Sequence, residues 1–151
     1  RARLNPPLRQ QRDRDALSAA LADGTIDALV SDHTPVDADA KTLPFAESEA
    51  GATGLELLLP LALLWGERSG AGLRRAIEVV TGAPARMIGR EGIGQLVVGG
   101  VADVCVFDAE QEWQVQPESL RSQGKSTPFA GYAMRGRARC TLVGGDVAHG
   151  G

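Results

Sequence analysis

Asp32 and His33 stand side by side directly after the run Ile26-Asp27-Ala28-Leu29-Val30. A carboxylate and an imidazole are the side chains most used to move protons near neutral pH, and both bind metal ions. The pair therefore points to acid–base or metal-assisted chemistry. Its position adds to this. In parallel α/β architectures, and above all in barrels, loops converge at the carboxyl ends of the strands and catalytic groups are mounted there. The plainer alternative for Asp32 is a strand-end carboxylate that caps a turn. Other polar clusters are weaker candidates. Asp37, Asp39, Glu47 and Glu49 lack the spacing and invariant turn of a calcium loop, so a solvated loop is expected. Arg9, Arg12 and Arg14 would suit a phosphate or carboxylate, and equally the solvated start of a helix. His149, near a Gly-Gly end, reads as a solvated tail residue.

The elements that must position Asp32 follow from periodicity. After Pro6-Pro7, the segment Asp13 to Ala22 places Ala16, Leu17, Ala20 and Leu21 at helical spacing, and Asp23-Gly24 is a stop signal. The nearly continuous apolar run Ile26 to Val30 predicts a short parallel-type strand covered on both faces. Residues 34 to 53 form a long loop, and loops of that length are more often functional than idle. Leu55 to Gly66 predicts a helix buried on most sides, with Pro60 bending it or lying in its first turns. A second helix is expected over Leu73 to Val80 and a short turn of helix over Ala85 to Ile88. From Gly92 the texture changes to glycine-punctuated alternation. Leu96 to Gly100 and Ala102 to Asp108 predict two strands joined at Gly99-Gly100. Gln111 to Val115 predicts another, and Arg137 to Val143 with Asp146 to Ala148 a last hairpin around Gly144-Gly145. This tail has too few strands to close a sandwich alone.

Composition limits the function. The chain has 151 residues, 43% hydrophobic and 23% charged, which is the ordinary globular range and enough for one core. A net charge of −3 with scattered Lys and Arg argues against a nucleic-acid footprint or an anionic membrane anchor. The longest apolar stretch, Leu55 to Trp65, is interrupted by Glu56 and Pro60 and falls short of the roughly 20 residues of a membrane span. A small molecule or a protein is the expected partner. Cys105 and Cys140 lack CxxC spacing and sit in apolar runs, so buried free thiols in a reducing cytoplasm are expected. The opening Arg-Ala-Arg-Leu has neither an initiator Met nor an apolar leader, which suggests a piece of a longer polypeptide.

Read in order, the segments NPPLR (residues 5–9), DGTIDALVSDHTP (23–35), GATGLELLLPL (51–61), APAR (83–86) and GQLVVGGVADVCVFD (94–108) resemble the carboxyl-terminal part of class I dihydroorotases, members of the amidohydrolase superfamily. The glycine-rich segment is shared across that superfamily, whereas NPPLR, SDH and KSTPF (125–129) beside Gly131-Tyr132 are narrower. The resemblance covers essentially the whole chain. It implies an α/β fold: the last strands and helices of a (β/α)₈ TIM-type barrel over residues 1–91, then part of a small β-sandwich over 92–151. It also implies pyrimidine biosynthesis, the interconversion of dihydroorotate and carbamoyl aspartate. In the active family two zinc ions activate the attacking water. Of their ligands, only the last-strand aspartate falls in this chain, at Asp32, as zinc ligand and as proton shuttle to the departing nitrogen. His33 is implied to pack against the barrel end. Asn5 maps to a substrate-contacting asparagine. Ala50 and Gly51 map to backbone that approaches the pyrimidine ring, where a glycine admits close contact.

One departure stands out. Active relatives commonly read Asp-His-Ala-Pro-His, the second histidine reaching the substrate, where this chain has Asp-His-Thr-Pro-Val. Val36 neither donates nor accepts a hydrogen bond. A lost contact to a charged group is worth about 1.5–3 kcal/mol. The Thr-Pro-Val-Asp string resembles a branch of the family that has lost catalytic residues and supports aspartate transcarbamoylase. Two readings are therefore carried forward: a cyclic amidohydrolase with a degenerate site, and a noncatalytic scaffold. The segment by itself is expected to be inactive, to hold no zinc and to associate through open edges.

Overall fold

A computed structural model describes residues 3–90 and 92–150. It is an α/β arrangement of five helices, two single 3₁₀ turns and a three-stranded antiparallel sheet. Helix α1 (Gln11–Asp23) begins where the Asp13 carboxylate accepts the Gln10 N–H at 3.3 Å, and it ends on Gly24, left-handed at φ 88°. Helix α2 (Ala38–Thr42) is a short turn within the long loop. Helix α3 (Leu58–Ser69) follows a 3₁₀ turn over Leu55–Leu57, with Pro60 in its first turn, where a missing N–H costs nothing. Helices α4 (Gly72–Glu78) and α5 (Gly82–Met87) complete the set.

The packing of α3 explains two of its neighbours. A Cβ on Gly66 would stand 2.7 Å from the Ala76 Cβ, so the glycine lets α3 and α4 approach closely. On the other side α3 meets the sheet. There Gly136, at φ 99°, leaves room for Leu63, whose Cδ1 would lie 2.4 Å from an added Cβ. Strand β1 (Val104–Gln114) pairs with β2 (Ala133–Val143), and β2 turns at Gly144-Gly145 into β3 (Asp146–Gly150). The core forms where the sheet end meets the start of α3. Leu57, Val115, Leu120 and Met134 are buried together, with Leu61, Trp113 and Phe129 packed against them.

Several expectations change. Residues Ile26 to Val30 enter no ladder among the described residues, and Val30 is 70% exposed. A strand needs a partner strand, and here the backbone groups go to helix ends instead. The Leu29 N–H donates to the Val79 carbonyl at 2.9 Å, and Arg75 donates to the Ile26 carbonyl at 3.4 Å. Leu96 to Gly100 closes a turn, the Gly100 N–H donating to the Val97 carbonyl at 3.0 Å, rather than a strand; Leu96 is 81% exposed, and the segment joins no ladder among the described residues. The strands expected over 102–108 and 111–115 are one, β1, with a bulge between Asp108 and Glu112. The Asp108 carboxylate accepts the N–H groups of Glu110 and Gln111 at 3.0 and 3.1 Å, and so satisfies the backbone that the bulge removes from the ladder. Cys105, on the edge strand β1, is exposed, and Cys140, on the central strand β2, is half-buried, since no second sheet packs on these strands among the described residues. His149 is half-buried opposite Thr141 in β3 rather than in a free tail. The hairpin around Gly144-Gly145 and the stop at Gly24 form as expected.

Two predictions follow from the helix contacts. Gly136→Ala sets a Cβ against Leu63 at a left-handed position, so urea unfolding is expected to show a loss of about 1–3 kcal/mol. Glu78 lies between Arg86 at 2.8 Å and Arg75 at 3.3 Å, and the Arg86 hydrogen bond, then that of Arg75, holds its carboxyl below the ordinary range. A carboxylate lowered in the folded state contributes fully above its unfolded pKa and is lost as pH falls through its folded value. The melting temperatures of wild type and Glu78→Gln are therefore expected to differ at neutral pH and to converge in acid.

Candidate active site

Asp32 is the one non-glycine residue among the described residues with positive φ, at 45°. An aspartate tolerates the left-handed region better than most residues, at a cost on the order of 1 kcal/mol. The flanking bonds hold it there. The Thr34 N–H donates to the Ala52 carbonyl at 3.0 Å. His33 Nδ1 accepts the N–H groups of Gly54 and Leu55, both at 3.2 Å, at the entry to the 3₁₀ turn that leads into α3. Gly54 fits because a Cβ there would come within 2.8 Å of the Ser31 carbonyl oxygen.

The exposed Asp32 lines a cavity of about 240 Å³ together with Leu29, Leu58, Leu61, Pro128 and Phe129. Leu4 and Pro6 reach the same cavity, while Asn5 between them is exposed and does not. Gly51 is buried and Ala50 half-buried, and neither lines the cavity, although the adjoining Ala52, Thr53 and Gly54 do. The Gly51 N–H donates to the Arg3 carbonyl at 3.0 Å, which ties the loop to the segment that carries Asn5. Val36 is 5% exposed and turns inward against Gly51, where an added Cβ would lie 2.8 Å from Val36 Cγ2. Of the five residues singled out from sequence, then, Asp32 faces the cavity, Asn5 and Gly51 lie on two segments bonded to each other, and Val36 packs behind them.

Sequence reasoning missed the strap over residues 120–129 as part of the site. Thr53, 1% exposed, receives a carbonyl from each side of it: its N–H donates to Ser126 at 2.7 Å and its hydroxyl to Gly124. The Glu56 carboxylate accepts the Arg121 and Ser122 N–H groups at 2.8 and 3.0 Å. A Cβ on Gly124 would lie 2.6 Å from Pro35, so the strap presses on the loop that follows Asp32. The proline–aromatic pair Pro128-Phe129 was the available signal, and only the fold brings it to Asp32. A larger cavity of about 460 Å³ lies between α3 and the sheet, over Leu63, Leu73 and Met134, with Arg135 paired to Glu67 at 2.9 Å. Its lining also carries Glu110 and Glu112, and Glu110 pairs with the same Arg135 at 3.4 Å.

No group of three His, Cys, Asp or Glu side chains converges among the described residues. Asp32 offers one carboxylate, and the His33 Nδ1 lone pair is already taken by two N–H groups. The acidic residues Asp37, Asp39, Glu47 and Glu49 are exposed around α2, and Arg9, Arg12 and Arg14 lie beside Asp13 and Asp15 in solvent.

Asp32 thus lines a largely apolar cavity, next to a histidine that fixes the entry to the 3₁₀ turn before α3. Residues 2–149 match the sequence model described as amidohydrolase family, and the chain belongs to that family. Its curated relatives are dihydroorotases: that of Geobacter sp. (strain M21) is 43% identical over 148 residues, 98% of this chain and 35% of that relative. Among solved structures, a D-hydantoinase (dihydropyrimidinase) from Thermus sp. superposes with a TM-score of 0.88 at 28% identity, over 97% of this chain and 33% of that one. An L-hydantoinase (dihydropyrimidinase) from Arthrobacter aurescens gives 0.85 at 33% identity, over 98% and 34%. The chain thus spans about a third of the length of the proteins it matches.

The bracing role of His33 is testable. His33→Leu leaves the Gly54 and Leu55 N–H groups without their acceptor, and a loss of about 1–3 kcal/mol is expected in denaturant unfolding. His33→Asn, which keeps an acceptor, is expected to lose less.

Proposed function

We propose that this chain is the carboxyl-terminal third of a dihydroorotase-type cyclic amidohydrolase of pyrimidine biosynthesis, acting on dihydroorotate and carbamoyl aspartate in the cytoplasm. In this reading residues 1–91 are the last strands and helices of the barrel and residues 92–151 part of the accessory sandwich. The unpaired Ile26 to Val30 run supports it, since its apolar character suits a barrel strand whose neighbours come from the remaining length. The observation that carries the function is Asp32, held left-handed at the end of that run and facing the cavity. An amide nitrogen leaves readily only once protonated. Asp32 takes the proton from the attacking water and delivers it to the ring nitrogen as the C–N bond breaks, and in the reverse direction it removes the proton from the nitrogen that closes the ring. Asn5 and the Ala50-Gly51 backbone hold the ring. Zinc in this reading belongs to the full-length protein, to which this chain contributes the Asp32 carboxylate.

A second reading is favoured by one observation. Val36 is buried against Gly51 and presents no polar group where active relatives carry a histidine. This supports a noncatalytic dihydroorotase-like subunit that associates with aspartate transcarbamoylase.

The full-length protein distinguishes them. Zinc near two per chain, turnover of dihydroorotate, and a fall of about 10²–10⁴-fold in Asp32→Asn are expected of the enzyme. Absence of zinc and turnover, with co-sedimentation of aspartate transcarbamoylase, would support the scaffold.

A further inference from the structure

The Arg3 carbonyl oxygen receives two hydrogen bonds, from the Gly51 N–H at 3.0 Å and from Lys41 Nζ at 3.1 Å. Lys41 Nζ also donates to the Glu49 carbonyl at 2.6 Å. One ammonium group therefore joins the residue two before Asn5 to the residue just before Ala50-Gly51. Lys41 is only 9% exposed and makes no ion pair among the described residues. A lysine is almost never buried without a carboxylate partner, because its desolvation must be offset by well-placed acceptors. The loop supplies these by turning carbonyls inward. Arg3 makes the same kind of contact from the other side, its Nη1 donating to the carbonyls of Phe45 at 3.0 Å, Ala46 at 2.7 Å and Ser48. Two cations thus gather the backbone of residues 45–51 around the Asn5 segment. A loop that only needed closing could be closed with neutral side chains. A charged pin instead fixes two backbones at a set separation.

We propose that Lys41 is a positioning residue for substrate recognition: by clamping the Arg3 and Glu49 carbonyls it sets the spacing between Asn5 and the Ala50-Gly51 backbone, and so the grip on a cyclic-amide ring. The proposal rests on the dihydroorotase-type reading for its ligand, but the clamp itself does not. Lys41 does not line the Asp32 cavity; it acts through the two segments that it joins, which carry Asn5 and Ala50-Gly51.

The test uses the full-length protein with Lys41→Met, which keeps the chain length and loses the donors, and Lys41→Arg, which keeps charge and donors. For Lys41→Met the KM for dihydroorotate is expected to rise roughly tenfold, the scale of losing a charged hydrogen-bond donor, with kcat within about twofold. Lys41→Arg is expected to recover part of the loss. A fall in kcat at unchanged KM, or no change in either, overturns the proposal. Hydrogen–deuterium exchange is read in parallel on both variants. The Gly51 amide is expected to exchange roughly tenfold faster in Lys41→Met than in wild type, and unchanged exchange overturns the clamp. If wild type neither turns over nor binds dihydroorotate by calorimetry, the dihydroorotase-type reading fails, and the exchange result alone decides the clamp. Should Lys41→Met not fold, Lys41→Arg carries both readouts, with smaller shifts of the same sign.

Discussion

Residues 26–37 enter no strand ladder among the described residues, so their backbone groups must find hydrogen-bond partners elsewhere. Those partners decide the rest of the structure. Arg75, only 18% exposed at its side chain, caps the end of α1 at the Leu21 carbonyl and reaches Ile26 with the same guanidinium. The Val79 carbonyl, just past α4, takes the Leu29 N–H. Farther on, Thr34 bonds to Ala52, and His33 accepts the two N–H groups at the entry to the 3₁₀ turn before α3. Asp32, left-handed at φ 45°, sits between these fixed points. Strain of this kind persists only where the surroundings over-determine it.

The β module is joined to this segment rather than merely following it in sequence. Its central buried residues, Val115, Leu120 and Met134, share a core with Leu57 at the start of α3. The strap that leaves β1 crosses back over Thr53 and presses Gly124 on Pro35 and Val36. Phe129 belongs to both places, packing on the core and walling the Asp32 cavity, with its ring edge-on to Tyr132 at 5.9 Å. A change in the module therefore reaches the site through packing, with no need for a direct contact with substrate.

The same geometry gives Val36 its meaning. Its side chain is buried next to Gly51, where a Cβ added to that glycine would stand 2.8 Å from Val36 Cγ2. The chemistry available at the site then reduces to one carboxylate, a bracing imidazole and an apolar wall. Such a set moves a proton well but binds a charged substrate weakly by itself.

Much of this was legible in the residues themselves. The stop at Asp23-Gly24, the turn at Gly144-Gly145 and the place of Pro60 depend on backbone rules that act within a few residues, so local sequence determines them. The family was likewise readable from its motifs. Pairing was not. Whether Ile26 to Val30 or Leu96 to Gly100 becomes a strand depends on a partner elsewhere in the chain, and propensity is blind to that partner. The fusion of two expected strands into β1 rests on Asp108 satisfying the bulge, a contact between side chain and backbone that periodicity does not register. The strap, the inward turn of Val36 and the Lys41 clamp were decided by tertiary structure alone, because each joins residues far apart in sequence whose meeting is set by packing.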